Sequence, residues 1–167
     1  MRYLLSGLLA ASVLVAPRAE AAQWGPADQP VFDVQGLKSQ LMVLASGCPG
    51  AEGDYNAFVT KYRPVLTAND AAMAAYFRRA YGRGGQREED GFITNLANAQ
   101  SEAGLQQGSE FCPRNEVMFQ EVMSLTDINE LAEYAAGKDV IPAQMMAPAP
   151  APAPRATARR RQAPRAR

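Results

Sequence analysis

The side chains able to do chemistry in this chain are defined first by an omission: there is no histidine. Without imidazole, Ser-His-Asp and Cys-His nucleophilic machinery, His-ligated zinc and the commonest neutral-pH proton shuttle are excluded. Catalysis would have to rest on carboxylates, lysine or tyrosine. Carboxylate pairs can hydrolyse glycosidic bonds, and the nearest pairs are Glu52 with Asp54 and Glu88 with Asp90. No apolar setting marks either pair as one whose members would differ in pKa. Acids in the first turn of a helix complement its dipole, so these are read as caps and solvated faces.

Cys48 and Cys112 are the two cysteines. They lack the CxxC spacing of a redox motif, and two thiols without further strong ligands make a poor metal site. In an exported chain they are best read as one structural disulfide. The loop it closes, 65 residues counted inclusively, is worth roughly 4 kcal/mol in the chain-entropy model. Gly82-Arg83-Gly84-Gly85 has the composition of an anion-binding nest, but a helix stop followed by a flexible turn explains the same letters. Met42, Met73, Met118 and Met123 lie on or beside apolar helix faces and form no cluster of thioether ligands. Tyr55, Tyr62, Tyr76 and Tyr81, with Phe58 and Phe77, recur at helical spacing as core residues do. The sequence implies neither a metal nor a cofactor.

These residues must be positioned by helices, since no segment alternates with period two. Gln23 to Pro30, with two prolines and a glycine, reads as an irregular lead-in. Val34, Leu37, Leu41, Leu44 and Cys48 then fall on one helix face, ended by Gly47, Pro49 and Gly50. Asp54 is placed to cap a second helix bearing Tyr55, Phe58, Val59, Tyr62, Val65 and Leu66, with Pro64 kinking it or stopping it near Tyr62. Asn69 or Asp70 would cap a third, carrying Met73, Tyr76, Phe77, Ala80 and Tyr81 and stopped by Gly82. A fourth runs from Glu88 through Phe92, Ile93, Leu96, Ala99 and Ala103 toward Gly108. Pro113 suits the start of a fifth, with Val117, Met118, Val122 and Leu125. Asp127 and Glu130 form a capping box for a sixth, whose face is Ile128, Leu131, Ala132 and Ala135 and whose stop is Gly137. The fold expected is all-α: a compact bundle of five or six short helices over residues 32–144, with the disulfide tying the end of the first helix to the start of the fifth.

The ends differ in composition from this body. Met1 and Arg2, the apolar run Tyr3 to Val15, and Ala19-Glu20-Ala21 have the order of a secretory signal peptide over residues 1–21. The run is too short to span a bilayer, so no transmembrane segment is expected in the mature chain, which would begin at Ala22 with a lead-in over 22–31. Residues 145–167 read as a disordered Pro/Ala/Arg tail. Its alternating Pro-Ala run, Ala147 to Pro154, favours polyproline II and would span roughly 25 Å as a stiff spacer. Charge is split accordingly. From Gln23 to Gln144 there are nine Lys and Arg against sixteen Asp and Glu, whereas the tail carries Arg155, Arg159, Arg160, Arg161, Arg165 and Arg167 and no acid. Six arginines within thirteen residues would bind lipopolysaccharide or anionic lipid phosphates by charge, in a salt-dependent way. Export puts nucleic acid last among such partners. The alternative reading of the tail is a solvated terminus.

Signal peptide, small helical body and one long-range disulfide together resemble the layout of the periplasmic acid-stress chaperones. The step Phe111, Cys112, Pro113 before a helix is similar to one in the small helical immunity proteins that guard against type VI secretion effectors. Neither resemblance transfers a functional residue. The sequence therefore implies an exported, periplasmic or secreted, non-enzymatic envelope protein: a helical binding or structural module for another envelope protein, with a basic C-terminal tether. A small carboxylate-dependent cell-wall hydrolase is the alternative, and a cleft with two facing acids would favour it.

Overall fold

The apolar stripe Val34, Leu37, Leu41, Leu44 and Cys48 does lie on one helix, and all five residues are buried. The computed structural model describes residues 24–146, leaving the side chain of Ile128 aside. Residues 1–21, read from the sequence as a signal peptide, and the tail from Ala147 onward, with all six tail arginines, lie outside the described residues. Within them the structure is helical, with no strand, and no helix is long and apolar enough to cross a membrane.

Helix α1 spans Gln29–Gly47, with Pro30 in its first turn. It is buried around most of its circumference, because Gln35, Gly36, Ser39 and Gln40 are covered as well as the apolar stripe. Those polar and small residues hid its central position: the sequence showed one buried face, whereas α1 has neighbours on several sides. Gly36 makes one of them possible, since a Cβ there would meet Ile141 Cγ1 at 2.7 Å.

Helix α2 is continuous over Glu52–Tyr81, 30 residues with Pro64 inside, about 45 Å at the usual rise per residue. The expected second and third helices are thus one. A proline in a helix interior costs about 3 kcal/mol, so the continuity needs compensation, and the flanking residues supply it. Tyr62 and Leu66 are buried in the core. The Tyr62 hydroxyl donates to Val122 O, and Lys61 Nζ donates to Met123 O and Leu125 O, each at 2.8 Å. Pro64 itself is exposed, so its ring displaces nothing packed. Asp54 lies inside the first turn and makes no cap. Asn69 and Asp70, expected as caps, are mid-helix and hold α1 instead: Asn69 Nδ2 donates to Val31 O at 3.1 Å, and Asp70 pairs with Lys38 at 2.8 Å. Gly82 ends the helix as expected, its N-H bonding Arg78 O at a φ of 56°.

Helix α3 spans Gly85–Gln107. The expected fifth helix is divided into α4, Phe111–Asn115, and α5, Val117–Ser124. Pro113 is the third residue of α4, and Val117 is 45% exposed while the neighbouring Phe119 is buried. Asp127 and Glu130 do face each other, with Asp127 N donating to Glu130 Oε2 at 3.5 Å and Asn129 N to Asp127 Oδ1 at 2.8 Å. They frame a single 3₁₀ turn, Ile128–Glu130, that leads into α6, Leu131–Ala136, which Gly137 closes. Helix α7, Ala143–Met146, extends the ordered body past Gln144, and Met145 and Met146 pack against its core.

Two buried clusters result. The larger joins the α1 stripe to Phe58, Tyr62 and Leu66 of α2, Phe119 and Val122 of α5 and Leu131 of α6. The smaller is aromatic and gathers Trp24, Phe32, Phe77 and Phe92 with Met73, Leu96 and Ile141. Trp24, from the segment expected to be irregular, stacks on Phe32 at 3.8 Å between centroids and meets Phe92 edge-on. Its indole N-H donates to Gln29 Oε1 at 2.8 Å, so the lead-in is fastened at its first described residue.

If the α2 contacts carry the chain past Pro64 against the ring's own preference, Pro64→Ala restores a backbone donor at an exposed site without disturbing the core. The variant is expected to be more stable by about 1 to 3 kcal/mol, read as a higher midpoint in urea or heat. An unchanged or lower midpoint would show that the ring is part of the packing.

Candidate functional site

The distinctive local arrangement is built on α4, whose five residues are too few to hold a helix by themselves in water. Three contacts hold it. Cys48, which caps α1, is bonded to Cys112 with the Cα atoms 5.6 Å apart, so the expected disulfide is formed and links the end of α1 to α4. Phe111 enters between α1 and α3, where a Cβ on Gly104 would lie 2.9 Å from its ring. Asn115 Nδ2 donates to Phe111 O at 2.7 Å and to Gln107 Oε1 at 3.1 Å.

Two clefts share the wedged Phe111. The first, about 490 Å³, is a trench between α1 and α3 lined by Met42, Val43, Ala97, Ser101, Leu105 and the disulfide sulfur side of Cys112, and it contains no charged side chain. Leu105 stands at its edge 77% exposed. The second, about 400 Å³, is polar, and Gln40, Gln100, Gln107, Arg114, Lys138 and Asp139 come to it from four parts of the chain. Arg114 has no ion pair among the described residues.

Beside the polar cleft, Glu121 accepts from the Tyr134 hydroxyl at 2.6 Å and from Lys138 Nζ at 2.6 Å, with Lys138 also 4.9 Å above the Tyr134 ring. The lysine first, then the tyrosine, hold the Glu121 carboxyl below the usual glutamate range. Burial and the facing carboxylate push the Tyr134 hydroxyl far up, so it stays a donor. Elsewhere burial raises Asp33, against a hydrogen bond from Gln29, and raises Glu89, which also faces Asp90 and Asp70.

The sequence-derived candidates fall as follows. Glu52 and Asp54 are exposed in the first turn of α2, and a cleft of about 430 Å³ beside Asp54 takes its second acid from Glu116. Glu88 pairs with its neighbour Arg87, and the cleft that it lines does not include Asp90. Gly82 to Gly84 form a 3₁₀ turn leading directly into α3. Met73 and Met118 are core residues, whereas Met42 and Met123 are 38% and 39% exposed. Tyr62 is fully buried and Tyr81 is 45% exposed. Glu116 lies within reach of Cys48 and Cys112, but both thiols are consumed by the disulfide and offer no thiolate.

Neither cleft was found from the sequence. Tyr134 and Lys138 are four residues apart, a legible spacing, yet Glu121 is 13 residues from Tyr134 and carries no local mark. What fold and site define is an all-α body, pinned by one disulfide, with an apolar trench and a polar cleft on either side of one aromatic wedge. Comparison of the chain with protein-family models, with curated proteins and with solved structures finds no match.

The Glu121 contacts fix a pH dependence. A carboxyl whose pKa is depressed on folding adds stability above its unfolded value, here 4.5, and loses it as pH falls through the lower folded value. Glu121→Gln is therefore expected to melt earlier than the natural chain at pH 7, with the gap narrowing on acidification below the glutamate range. A gap that is constant with pH would show that the ion pair contributes nothing to folding.

Proposed function

We propose that this chain is an exported, non-enzymatic envelope protein whose helical body receives one helix of another envelope protein, with the basic tail as a tether to anionic surfaces. The observation that carries the binding role is the trench between α1 and α3. Its lining holds no charge, in a body where acids and bases number twenty-five between Gln23 and Gln144. Ala97, Ser101 and Gly104 on α3, and Gly108 just past its end, repeat at spacings of three and four, opposite Met42, Val43, Ser46 and Gly47 on α1. A furrow of that width and polarity suits the apolar ridge of a helix. One exposed leucine is ordinary on a protein surface, but Leu105 and Met42 flank the furrow, and together they give the patch an apolar rim. Export is supported by the signal-type N-terminus and by a disulfide of the kind that persists in oxidising compartments.

A photoreactive residue in place of Leu105, in the full chain expressed in cells, is expected to give one discrete adduct in the envelope fraction. Ser101→Arg, which fills the trench from an exposed position, should abolish the adduct and leave the melting curve unchanged. A cytoplasmic product that retains Met1, or an adduct indifferent to Ser101→Arg, would overturn the reading.

The tether role has its own test. Deleting Ala147 to Arg167 should leave the helical signal and melting of the body unchanged and abolish binding to anionic vesicles. In the intact chain that binding should fade as salt screens the charges. A truncated body that melts much earlier would place the arginines on their own acidic domain.

A further inference from the structure

We propose that the polar cleft is a ligand site for a small carboxylate that also carries N-H donors, the chemistry of an amino acid or of a short peptide with a free C-terminus. This goes beyond the trench and does not depend on it. Four elements converge on the cleft: Gln40 from α1, Gln100 and Gln107 from α3, Arg114 and Asn115 from α4, and the segment Lys138 to Val140 after α6. Its volume, about 400 Å³, lies in the range that small ligands occupy.

The charges are placed unlike those of the surrounding body. In an acid-rich domain the lining holds two cations, Arg114 and Lys138, and one acid, Asp139. Lys138 is engaged by Glu121 and the Tyr134 ring. Arg114 has no ion pair among the described residues, and a guanidinium is the side chain whose planar fork best matches a carboxylate. The fork is carried by a helix that is fixed at both ends, by Cys112 in the disulfide and by the Asn115 bond to Gln107. Arg114 is itself exposed, but so short and so firmly held a helix fixes the backbone position from which it reaches the cleft, which removes part of the ordering that binding would require.

The amides indicate the rest of the ligand. Gln100 is 2% exposed. Its Nε2 donates to Gly36 O at 3.0 Å and to Val140 O at 2.9 Å. Because both partners are carbonyls, the orientation of the amide is fixed and its oxygen is the group left over. That Oε1 is buried and has no hydrogen-bond partner among the described residues, a state it shares with Gln35 Oε1 and Ser39 Oγ on α1; buried polar atoms are ordinarily paired. Gln40, 9% exposed, also lines the cleft, and its side chain has no hydrogen bond among the described residues. Asp139, at a φ of 47°, turns the chain at the rim in the left-handed conformation that aspartate tolerates better than most residues, and it too has no ion pair among the described residues. The Gln40 amide and the Asp139 carboxylate, lining the same cleft as a cation without an anion, fit a ligand that has both donors and a carboxylate. Phe111, Met118 and Val140 give the cleft an apolar wall sized for a small side chain.

The test is a titration of isotope-labelled full-length protein, followed by its backbone amide resonances, with three probes: acetyl-alanyl-alanine with a free carboxylate, the same compound as its C-terminal amide, and alanine. Saturable shifts are expected at residues of the cleft with acetyl-alanyl-alanine or with alanine. Whichever of the two binds more tightly identifies the source of the carboxylate as a peptide end or a free amino acid. Loss of the ligand charge in the amide, or of the guanidinium in Arg114→Gln, should weaken binding by about tenfold or more, as expected for a charge-assisted bidentate pair. Arg63→Gln, on the exposed side of α2, should change nothing, and both variants should melt like the natural chain. Absence of saturable shifts with both carboxylates, or equal binding by Arg114→Gln, would overturn the proposal.

Discussion

Five residues do not sustain a helix in water, because nucleation fixes several torsions for each early hydrogen bond, and yet both surface clefts take a wall from Phe111–Asn115. The structure therefore depends on what holds this segment from outside. The Cys48–Cys112 bond fixes where α4 starts relative to α1, and Phe111 fixes its rotation by filling the space that Gly104 leaves on α3. The Asn115 amide ties the other end to Gln107 on α3. Remove the glycine, and the ring has no seat; remove the link, and α4 hangs from a three-residue 3₁₀ turn, Gly108–Glu110. The trench and the polar cleft are two sides of the same wedge.

What was legible in the sequence was whatever is decided within one or two turns. The α1 stripe, the stop at Gly82, the closure at Gly137 and the facing Asp127 and Glu130 are local rules applied to local residues. The disulfide was legible by elimination, since two cysteines have one pairing. The errors share one cause, which is tertiary contact overriding a local preference. Pro64 reads as a break, but Tyr62 and Lys61 are held by the carbonyls of Val122, Met123 and Leu125, sixty or more positions away. Asn69 and Asp70 read as caps because short polar side chains often bond the backbone nearby; here they bond Val31 and Lys38 on another helix. Trp24 sits in a proline-rich stretch where nothing in the spacing shows that Phe32 will receive it. The clefts were illegible for the same reason in stronger form, since no short window contains residues from four elements.

Charge in the described body is arranged so that few groups matter individually. The Arg79 to Asp28 and Arg87 to Glu88 pairs join largely exposed side chains, and pairs of that kind contribute little. Glu121 differs because two donors converge on it and one of them, Tyr134, is half-buried and held in its protonated form. That contact ties α5 to α6 and to the segment that forms the rim of the polar cleft. An excess of acids spread over an exterior favours solubility and repels anions at a distance. A guanidinium without an ion pair at the edge of a cleft in such a body gains selectivity from that contrast, since an anion must come near Arg114 to be attracted.

The position of the disulfide follows from this geometry and not from loop entropy. In the chain-entropy model a cross-link is worth roughly 4 kcal/mol for any loop of this length, wherever its ends lie in the folded body. Two ends placed on α1 and α3 would have restricted the unfolded chain about as well. The observed ends sit at the cap of the central helix and in the second residue of the shortest helix on the polar cleft, which is the element least able to keep its own position. The link thus acts on the unfolded state through its length and on the native state through its location. The second effect is what the placement of Arg114 on the polar cleft and a formed trench require, because both are lost if α4 frays even while the two buried clusters stay intact.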